Sequence, residues 1–523
     1  MSSVFSVSAG SIRFRFSQLL KLVAPFLQRR RRPYSSFMSL FLAVAVAAGL
    51  FAGCGSMPPT VTPPPPAAPS SVTIQLSSTA NEQFSAFNID IASFALTNKA
   101  GVSVNLIPAV QNNGIYQTQN VEFLHLNGPS APLVTAMVPQ DVYVSASLTY
   151  TYTQFTYVNL TPAGGVHITT DSVGEMNAIP ITAVVNLPSP IAVSDTPADL
   201  LLDLQVMAST TLTSNTSGGP DTYSIKPSLT LTAIPASPPT PFAQLTGLDG
   251  RIASTTASNN SFSLKTVNGY SRPSAPAGSL FNIVTNASTV YQGVNNFSDL
   301  AAGMFVNFDL ALQGDGSLLA TRVEVDDPSA SNVMIGPLVT VYATGSALWD
   351  FGRLQQGSDL DVNPIVSWGY SVDASTVFKT SQLLPIPSNL PFSETFNSSN
   401  MVPGQNVAIS SLGINSYVHA TTVTLRPQTI DGTVTAVSSA GGFAVYTVAL
   451  SPYDLFPTLA VQPAQATLLQ NPNQVEVYVR DTTRLLNTNS LAPGSAFRFS
   501  GLIFNDTGTL RMDCNQVNDG VPE

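Results

Sequence analysis

The 523-residue chain is poor in charge, cysteine, histidine and tryptophan. Only 10% of its residues are charged, and it contains 2 Cys, 3 His and 2 Trp. Soluble domains carry about 25% charged residues on average, so Ser, Thr, Asn and Gln must wet this surface instead. The shortage of charge excludes a coiled coil and a charge-rich disordered protein, and the shortage of cysteine excludes a disulfide scaffold.

Basic residues are concentrated at the amino terminus. Seven of the 20 Lys and Arg lie in residues 1–53, which contain no acidic residue. The remaining 470 residues therefore carry 13 basic against 30 acidic groups, a net charge of −17. Because Lys and Arg drive nucleic-acid binding by neutralising phosphates, the acidic body excludes a nucleic-acid partner.

The amino-terminal segment has the pattern of a secretory signal. Four arginines at 29–32 precede an apolar run at 37–53, which ends at Cys54. This order is typical of a signal peptide, and 17 apolar residues are fewer than the ~20 of a usual membrane span. The ending Leu50-Phe-Ala-Gly-Cys54 resembles a bacterial lipobox, although Phe51 replaces the usual Leu or Val. An uncleaved anchor helix and a twin-arginine signal remain open.

A proline-rich segment follows this cysteine. Residues 57–69 favour polyproline II, a semi-rigid spacer that rises ~3.1 Å per residue. We therefore predict a lipoprotein signal peptide at 1–53 and a lipidated Cys54 with its stalk at 54–71. Acylation of Cys54 would leave Cys514 without an intramolecular partner, and we expect Cys514 to be a buried, inert thiol.

The remainder predicts an all-β fold. Turn residues recur every 8–12 positions between segments rich in Val, Ile, Thr, Tyr and Phe. Apolar residues fill every second position from Val142 to Tyr152, which predicts a long strand with one buried face. A change of phase at Gln154 suggests a β-bulge there.

A second proline cluster at 235–241 predicts a linker after a first domain at 72–234. Three segments of that domain, 121–128, 138–143 and 200–206, together with 223–229, resemble a bacterial family catalogued as domain of unknown function 4382. Asp141 and Val142 depart from the family's usual glycine at this position. The resemblance implies a β-sandwich without a catalytic motif.

The chain repeats itself after the linker. A Leu-x-x-Gly type of turn recurs with Gly303, Gly404 and Gly494, which are 101 and 90 residues apart. A threonine-containing strand precedes each turn, and an Ala-x-x-Val segment closes the first two units. The spacing predicts three homologous units at 242–327, 328–427 and 428–523.

This order of segments resembles domain of unknown function family 5666. The resemblance covers about 240–520 and is stronger in the first and third units than in the middle one. Five short strands a unit suffice for a small closed β-barrel of the OB type, which removes exposed sheet edges. The predicted architecture is thus a β-sandwich followed by three OB-like barrels.

Local catalytic signatures are absent from the sequence, which has no Gly-x-Ser-x-Gly, P-loop or Cys-x-x-Cys motif. Zinc or a Ser-His-Asp triad would require assembly of distant residues, since the three histidines are His125, His167 and His419. Calcium is an alternative at 314–316 and at 326–327. A hairpin turn of the Asp-Gly type is the simpler interpretation of the first segment. Asp359 and Asp361 are two positions apart, so on a strand they share one face. They are either a glycosidase pair of carboxylates or part of an exposed polar surface.

Aromatic residues are the candidate ligand contacts, because sugars stack on exposed aromatic rings. The candidates on the long strand also have a core-packing alternative, and those in the middle unit could pack between units. The predicted ligand-binding residues are Tyr143, Phe155, Tyr157, Trp349 and Trp368.

Two functions compete. The first is a non-enzymatic lipoprotein of the cell envelope, anchored by lipid to the inner or outer membrane, that binds a polysaccharide or an envelope protein through a spaced array of units. The second is a secreted hydrolase with dispersed carboxylates. The repeated small barrels favour the first, with no catalytic residue, metal or cofactor.

Overall fold

The computed structural model describes residues 68–518 with internal gaps. The gaps are 79–83, 113, 124–129, 161–165, 174–179, 214–221, 235–243, 267–268, 272–279, 342–346, 352–353, 357–366, 383, 414–417, 452–454, 461–468, 487 and 489. Within this described part, no helix is both long enough and apolar enough to cross a membrane.

The described residues of the first domain form fifteen strands and one short helix. They are β1 (Ser70–Ser78), β2 (Phe84–Asn98), β3 (Ser103–Ile107), β4 (Gln111–Asn112), β5 (Ile115–Tyr116), β6 (Gln119–Glu122), β7 (Ala131–Val138), β8 (Asp141–Leu160), β9 (Val166–Val173), β10 (Ile181–Val185), β11 (Ile191–Val193), β12 (Ala198–Leu204), α1 (Val206–Ser209), β13 (Thr210–Thr213), β14 (Thr222–Ile225) and β15 (Leu229–Ala233). This segment is a β-sandwich, as the sequence predicts.

Two sheets form the sandwich. One has the strand order β15-β12-β1-β7, in which β1 runs parallel to β12. The other is built on β10-β8-β2-β6, with β3, β9 and β11 attached to its long strands. Apolar residues at alternate positions of β1 and β2, such as Ile74 and Phe94, are fully buried and form the shared core. Burying one face of each sheet is the main source of stability in this arrangement.

The long strand β8 follows the predicted alternation only in its middle. Ala146, Leu148 and Tyr150 are buried, but Val144 is 39% exposed and Tyr143 is buried instead. The reason is a register shift against β2, where Asn98 pairs with Tyr143 and Thr97 with Ser145. A second shift omits Thr151, so the bulge that we placed at Gln154 lies three residues earlier. Each bulge inverts the faces, because side chains alternate with a period of two.

Twenty strands and one short helix form the rest of the described chain. They are β16 (Gln244–Thr256), β17 (Ser261–Thr266), β18 (Gly269–Ser271), β19 (Leu280–Val284), β20 (Val290–Gln292), β21 (Phe305–Leu312), β22 (Leu318–Glu324), β23 (Asn332–Val341), β24 (Ala347–Phe351), β25 (Leu354–Gln356), β26 (Ser367–Ser371), β27 (Val377–Thr380), β28 (Asn406–Ser411), β29 (Val418–Leu425), β30 (Gln428–Ala440), β31 (Phe443–Leu450), α2 (Leu455–Ala460), β32 (Gln474–Val479), β33 (Arg484–Leu486), β34 (Ala496–Asp506) and β35 (Thr509–Asn518). Single-turn 3-10 helices lie at Ala257–Asn259 and Phe297–Asp299.

These strands form three closed barrels with one topology. Barrel 1 closes in the order β16-β17-β19-β22-β21, barrel 2 as β23-β24-β26-β29-β28, and barrel 3 as β30-β31-β32-β35-β34. In each barrel the closing pair is parallel, and one short strand, β20, β27 or β33, adds in parallel to the last strand. The three-barrel prediction is confirmed.

The barrels are packed together rather than spaced along the chain. β18 of barrel 1 extends the sandwich sheet by pairing with β6. Phe305 of barrel 1 packs in one apolar cluster with Val333 and Ile335 of barrel 2. The loop between β27 and β28, which we call the barrel 2 insertion, in turn packs Phe392 against Tyr478 of barrel 3. Contacts of this kind join each unit to the next, and binding through an array of units stays a prediction.

Candidate functional site

The repeated glycine occupies the same turn in all three barrels. Gly303, Gly404 and Gly494 have φ values of +92°, +93° and +89°, which favour glycine over residues with a Cβ. Each donates its backbone N–H over 2.8 Å to a carbonyl of the barrel's first strand; these acceptors are Ile252, Leu338 and Val434. A register shift follows each acceptor residue. The glycine turn is thus hydrogen-bonded to the first strand next to a β-bulge that all three barrels share. Its role is structural.

A buried threonine directly before each short strand, β20, β27 or β33, forms a hydrogen bond to the last strand of its barrel, β22, β29 or β35. The hydroxyls of Thr289 and Thr376 donate hydrogen bonds of 2.7 and 2.9 Å to the carbonyls of Ala320 and Ala420. In barrel 3 Thr483 donates to the carbonyl of Cys514 over 2.9 Å. Cys514 therefore occupies the alanine position of the Ala-x-x-Val segment, which the sequence left irregular in the third unit.

The junction of barrels 1 and 2 contains a buried ionic cluster. The guanidinium of Arg426, which follows β29, forms an ion pair with Asp326 after β22. Its Nη1 lies 3.7 Å from Glu324, and its Nη2 lies 4.0 Å from Asp249 of β16. Burial disfavours the charged guanidinium, but the carboxylates of Asp326, Asp249 and Glu324 outweigh it and raise the pKa of Arg426. Arg426 therefore stays protonated in this cluster.

Uncharged groups donate further hydrogen bonds to these carboxylates. Ser381 donates its hydroxyl over 2.6 Å to Glu324, and the backbone N–H of Gln382 donates over 2.9 Å to the same carboxylate. Thr424 donates to Asp326 over 3.1 Å, and Asn307 donates to Asp249 over 2.7 Å. These acids are occupied in holding two barrels together. Sequence reasoning missed this role, because Arg426 lies 100 residues after Asp326 and 177 residues after Asp249 in the chain.

Barrels 2 and 3 meet through an aromatic contact. The ring of Phe392 lies 4.7 Å from Tyr478 and 5.9 Å from Phe504, measured between centroids. The guanidinium carbon of Arg511 lies 5.8 Å from the centroid of Phe392, within range of a cation–π interaction. Gln405 also donates over 2.8 Å to the backbone carbonyl of Ile503. The barrel 2 insertion is thus an inter-barrel contact.

Tyr143 lies in the sandwich core. It is 1% exposed, and its hydroxyl donates over 2.8 Å to the carbonyl of Pro139. Burial raises the pKa of Tyr143, with a smaller contribution from Asp141. Its ring offers no face to a sugar, which corrects the expectation of a ligand contact and favours the core-packing alternative.

The other predicted aromatic contacts are placed only at the level of the backbone. Phe155 and Tyr157 lie on β8, opposite Phe87 and Phe84 of β2. Trp349 lies on β24 and Trp368 on the neighbouring β26, where their partners are Gly369 and Asp350. The register places the two tryptophans one residue apart across this strand pair. Their roles as ligand contacts stay predictions.

Several candidates lie outside the described residues, namely Cys54, His125, Asp359 and Asp361. His167 is placed only as the β9 partner of Asn159. The third histidine, His419, is described in full and has a serine and an aspartate beside it.

The cluster around His419 lacks the geometry of a catalytic triad. Ser375 Oγ and Asp373 Oδ1 lie 3.2 and 3.7 Å from the same ring nitrogen, Nε2. A triad requires the serine and the acid on opposite nitrogens. The Ser375 hydroxyl also donates over 2.6 Å to Asp373, which lowers the pKa of that acid. Asn286 and Ser288 make the same turn in barrel 1, so this pattern is a feature of the repeat.

The acidic segments considered for calcium have structural roles. Asp315 accepts hydrogen bonds from the backbone and hydroxyl of Ser317 in the turn between β21 and β22, where Gly316 has φ +78°. Asp327 accepts from Ser329 and Thr421. Among the described residues, no group of three or more His, Cys, Asp and Glu is arranged to hold a metal ion.

One comparison with known families identifies part of the chain. A family described as "Domain of unknown function (DUF5666)" matches residues 249–324. This range begins in β16 and ends with β22, so it covers barrel 1 nearly from end to end. The search of curated proteins returned no match. Barrel 1 is therefore a DUF5666-like repeat, and barrels 2 and 3 share its topology.

Proposed function

We propose that this protein is a non-enzymatic lipoprotein of the bacterial cell envelope that presents a continuous β-structured body for binding. In this proposal Cys54 is lipidated and residues 55–69, which precede β1, form a stalk that separates the body from the bilayer. Barrels 2 and 3 are further members of the DUF5666 family, and the sandwich is a member of the DUF4382 family.

The observation that carries this proposal is the reuse of one barrel three times with direct contact between the units. The glycine turns and the buried threonines stabilise the individual barrels. The carboxylates of Glu324 and Asp326 stabilise the junction of barrels 1 and 2. Repeated units of this kind supply surface area in a fixed arrangement, which suits binding or a structural role. The basic, apolar and cysteine-terminated leader supports placement at the envelope.

Lipidation has a direct test. Cells that express the full chain are labelled with a clickable palmitate analogue and then separated into membrane and soluble fractions. We expect labelled protein in the membrane fraction, and loss of both label and membrane association in Cys54→Ala. Cys514→Ala is the matched control and should keep both. Labelling that persists in Cys54→Ala contradicts the lipoprotein proposal, and the uncleaved anchor helix then explains any membrane association.

The non-enzymatic part is tested separately. The purified protein is incubated with peptidoglycan, neutral and acidic polysaccharides, and chromogenic esters, and soluble products are measured over days. We expect binding without product release. Sustained product formation that Asp359→Ala, Asp361→Ala or His419→Ala removes would establish the hydrolase alternative.

A further inference from the structure

The outer face of the sandwich carries a regular set of hydroxyl groups. On β2 and β8 the residues that point away from the core are Ser or Thr at five of six paired positions, while Phe94, Leu96 and Leu148 between them are fully buried. The neighbouring strand β10 continues the set. We call this surface the hydroxyl face and define it by Ser93, Thr97, Ser145, Ser147, Thr149 and Thr182.

Strand register arranges these hydroxyls in rows across the sheet. Ser93 of β2 lies opposite Thr149 of β8, which in turn lies opposite Thr182 of β10. Thr97 lies opposite Ser145 in a second row. Adjacent strands are about 4.8 Å apart, so a polymer that crosses the strands meets a hydroxyl at each one.

Hydroxyl contacts at this surface are exposed. The Oγ1 atoms of Thr149 and Thr182 are 3.0 Å apart, and Thr97 Oγ1 lies 2.8 Å from Ser103 Oγ on β3. Each hydroxyl has one donor and two acceptor sites, so a pair bonded to each other keeps sites for a ligand. The face can therefore donate and accept hydrogen bonds at once, as the hydroxyls of a sugar also do.

Charge restricts the class of ligand. All six residues of the hydroxyl face are uncharged, and Asp141 at its edge accepts a 2.6 Å hydrogen bond from Asn98. An acidic polymer would gain no ion pair here and would meet an acidic body of net charge −17. Val184 lies opposite Ser147 and is 79% exposed, which adds an apolar contact of the kind that the C–H face of a sugar ring uses.

We propose that the hydroxyl face is the binding surface for a neutral polysaccharide chain. The inference rests on the binding role in the proposed function and names its ligand class and location. The argument for this ligand class is chemical complementarity. The polymer and the hydroxyl face are both uncharged, and each offers hydrogen-bond donors and acceptors to the other. Each neutral hydrogen bond contributes little, so affinity comes from many contacts along the chain.

The test uses affinity electrophoresis of the full chain in gels that contain dextran, soluble β-1,3-glucan or hydroxyethyl cellulose, with polygalacturonate as the acidic comparison. Thr149→Val/Thr182→Val removes two hydroxyls and keeps shape and strand propensity. We expect about a tenfold loss of affinity for at least one neutral polymer. Ser147→Glu places a carboxylate at the centre of the face and should abolish retardation.

The matched control is Ser393→Ala/Thr395→Val, which removes another exposed hydroxyl pair, 2.8 Å apart, from the barrel 2 insertion. It should bind as the wild type does. Retardation by none of the neutral polymers, stronger retardation by polygalacturonate, or equal loss in the control would each overturn the inference. Thermal unfolding verifies that every variant is folded.

Failure of this inference is distinguishable from failure of the proposed function. Absence of palmitate label from the wild-type protein, label that persists in Cys54→Ala, or sustained product release contradicts the proposed function and leaves the gel result unchanged. Absence of neutral-polymer binding by a labelled, membrane-bound protein contradicts only the hydroxyl face.

Discussion

Thr483 donates a 2.9 Å hydrogen bond to the backbone carbonyl of Cys514, and its Oγ1 accepts a 3.0 Å hydrogen bond from the backbone N–H of Arg480. The same two contacts hold Thr289 and Thr376 in the other barrels. In each barrel, one hydroxyl therefore closes a turn and joins that turn to the last strand. The repeat preserves this threonine although the sequence around it differs.

Replacing Thr483 by Val should destabilise the protein by about 1–3 kcal/mol. The substitution keeps the shape but leaves the buried carbonyl of Cys514 and the partly buried N–H of Arg480 without their partner. Urea unfolding measures the difference. Thr435→Val is the control, since the Thr435 hydroxyl is exposed and water can replace its contact. An equal effect of the two substitutions would contradict the structural role of Thr483.

Cys514 should be inert in the native protein. It is fully buried, burial raises the pKa of its thiol to about 12, and its Sγ donates to the carbonyl of Gln516 over 3.2 Å. Iodoacetamide at pH 8 should modify it only after denaturation, because the thiolate is the reactive form. Modification is read by mass spectrometry in Cys54→Ala, in which Cys514 is the only cysteine.

Alanine occupies the position of Cys514 in the other two barrels, which allows us to predict the effect of Cys514→Ala. Since Ala320 and Ala420 fill the same site in barrels 1 and 2, Cys514→Ala should cost no more than about 1 kcal/mol. Cys514→Leu adds volume to a filled core and should cost about 1–3 kcal/mol. A tolerated leucine would show that barrel 3 is more loosely packed than its contacts indicate.

The all-β class, the repeat and the turns at Gly303, Gly404 and Gly494 could be predicted because their signals are local: alternation, spacing and a glycine before a strand. The phase of β8 could not, because the bulges at Val144 and Thr151 arise from pairing with β2. The Arg426 cluster could not either, since its acids lie in another barrel. Ser145, Ser147 and Thr149 were visible as the polar side of a strand, but their extension by Ser93 and Thr182 required the sheet.

Two of the repeated glycines differ in their surroundings. A Cβ on Gly404 would lie 2.8 Å from Cδ2 of Phe456 and 2.9 Å from its carbonyl oxygen, whereas a Cβ on Gly494 would meet open space. Both substitutions to Ala incur the positive-φ cost of about 1 kcal/mol. Gly404→Ala also forces α2 to move and should cost about 1–3 kcal/mol more. Equal unfolding free energies for the two variants would contradict this packing.

Arg426→Met should be among the most damaging substitutions at a barrel junction. It keeps much of the side-chain volume but leaves Glu324 and Asp326 buried without their guanidinium, a loss of about 3–5 kcal/mol. Urea unfolding and limited proteolysis between barrels 1 and 2 measure the effect. Lys99→Met removes an exposed cation and should change stability by less than about 0.5 kcal/mol. If Arg426→Met leaves the free energy of unfolding unchanged, the apolar contacts of Phe305 alone stabilise the junction.

Asp199 makes the stability of the sandwich depend on pH. It lies on β12, is 8% exposed, and its Oδ1 has no hydrogen-bond partner among the described residues. Burial raises the pKa of Asp199 from 3.8 to about 6, so the folded state favours the protonated acid. Its contribution to stability is fully present below pH 3.8 and is lost as the pH rises through about 6. Asp199→Asn should therefore stabilise the protein by about 1–3 kcal/mol at pH 7.5 and have little effect at pH 4.

Urea titrations of wild type and Asp199→Asn between pH 4 and 8 measure this difference. The substitution should flatten the fall in unfolding free energy that the wild type shows across this range. Asp195→Asn is the control, because Asp195 is exposed in the same domain and should leave the pH profile unchanged. A stabilisation by Asp199→Asn that is equal at pH 4 and pH 7.5 would show that the carboxylate is not desolvated. The cost of the aspartate would then arise from packing.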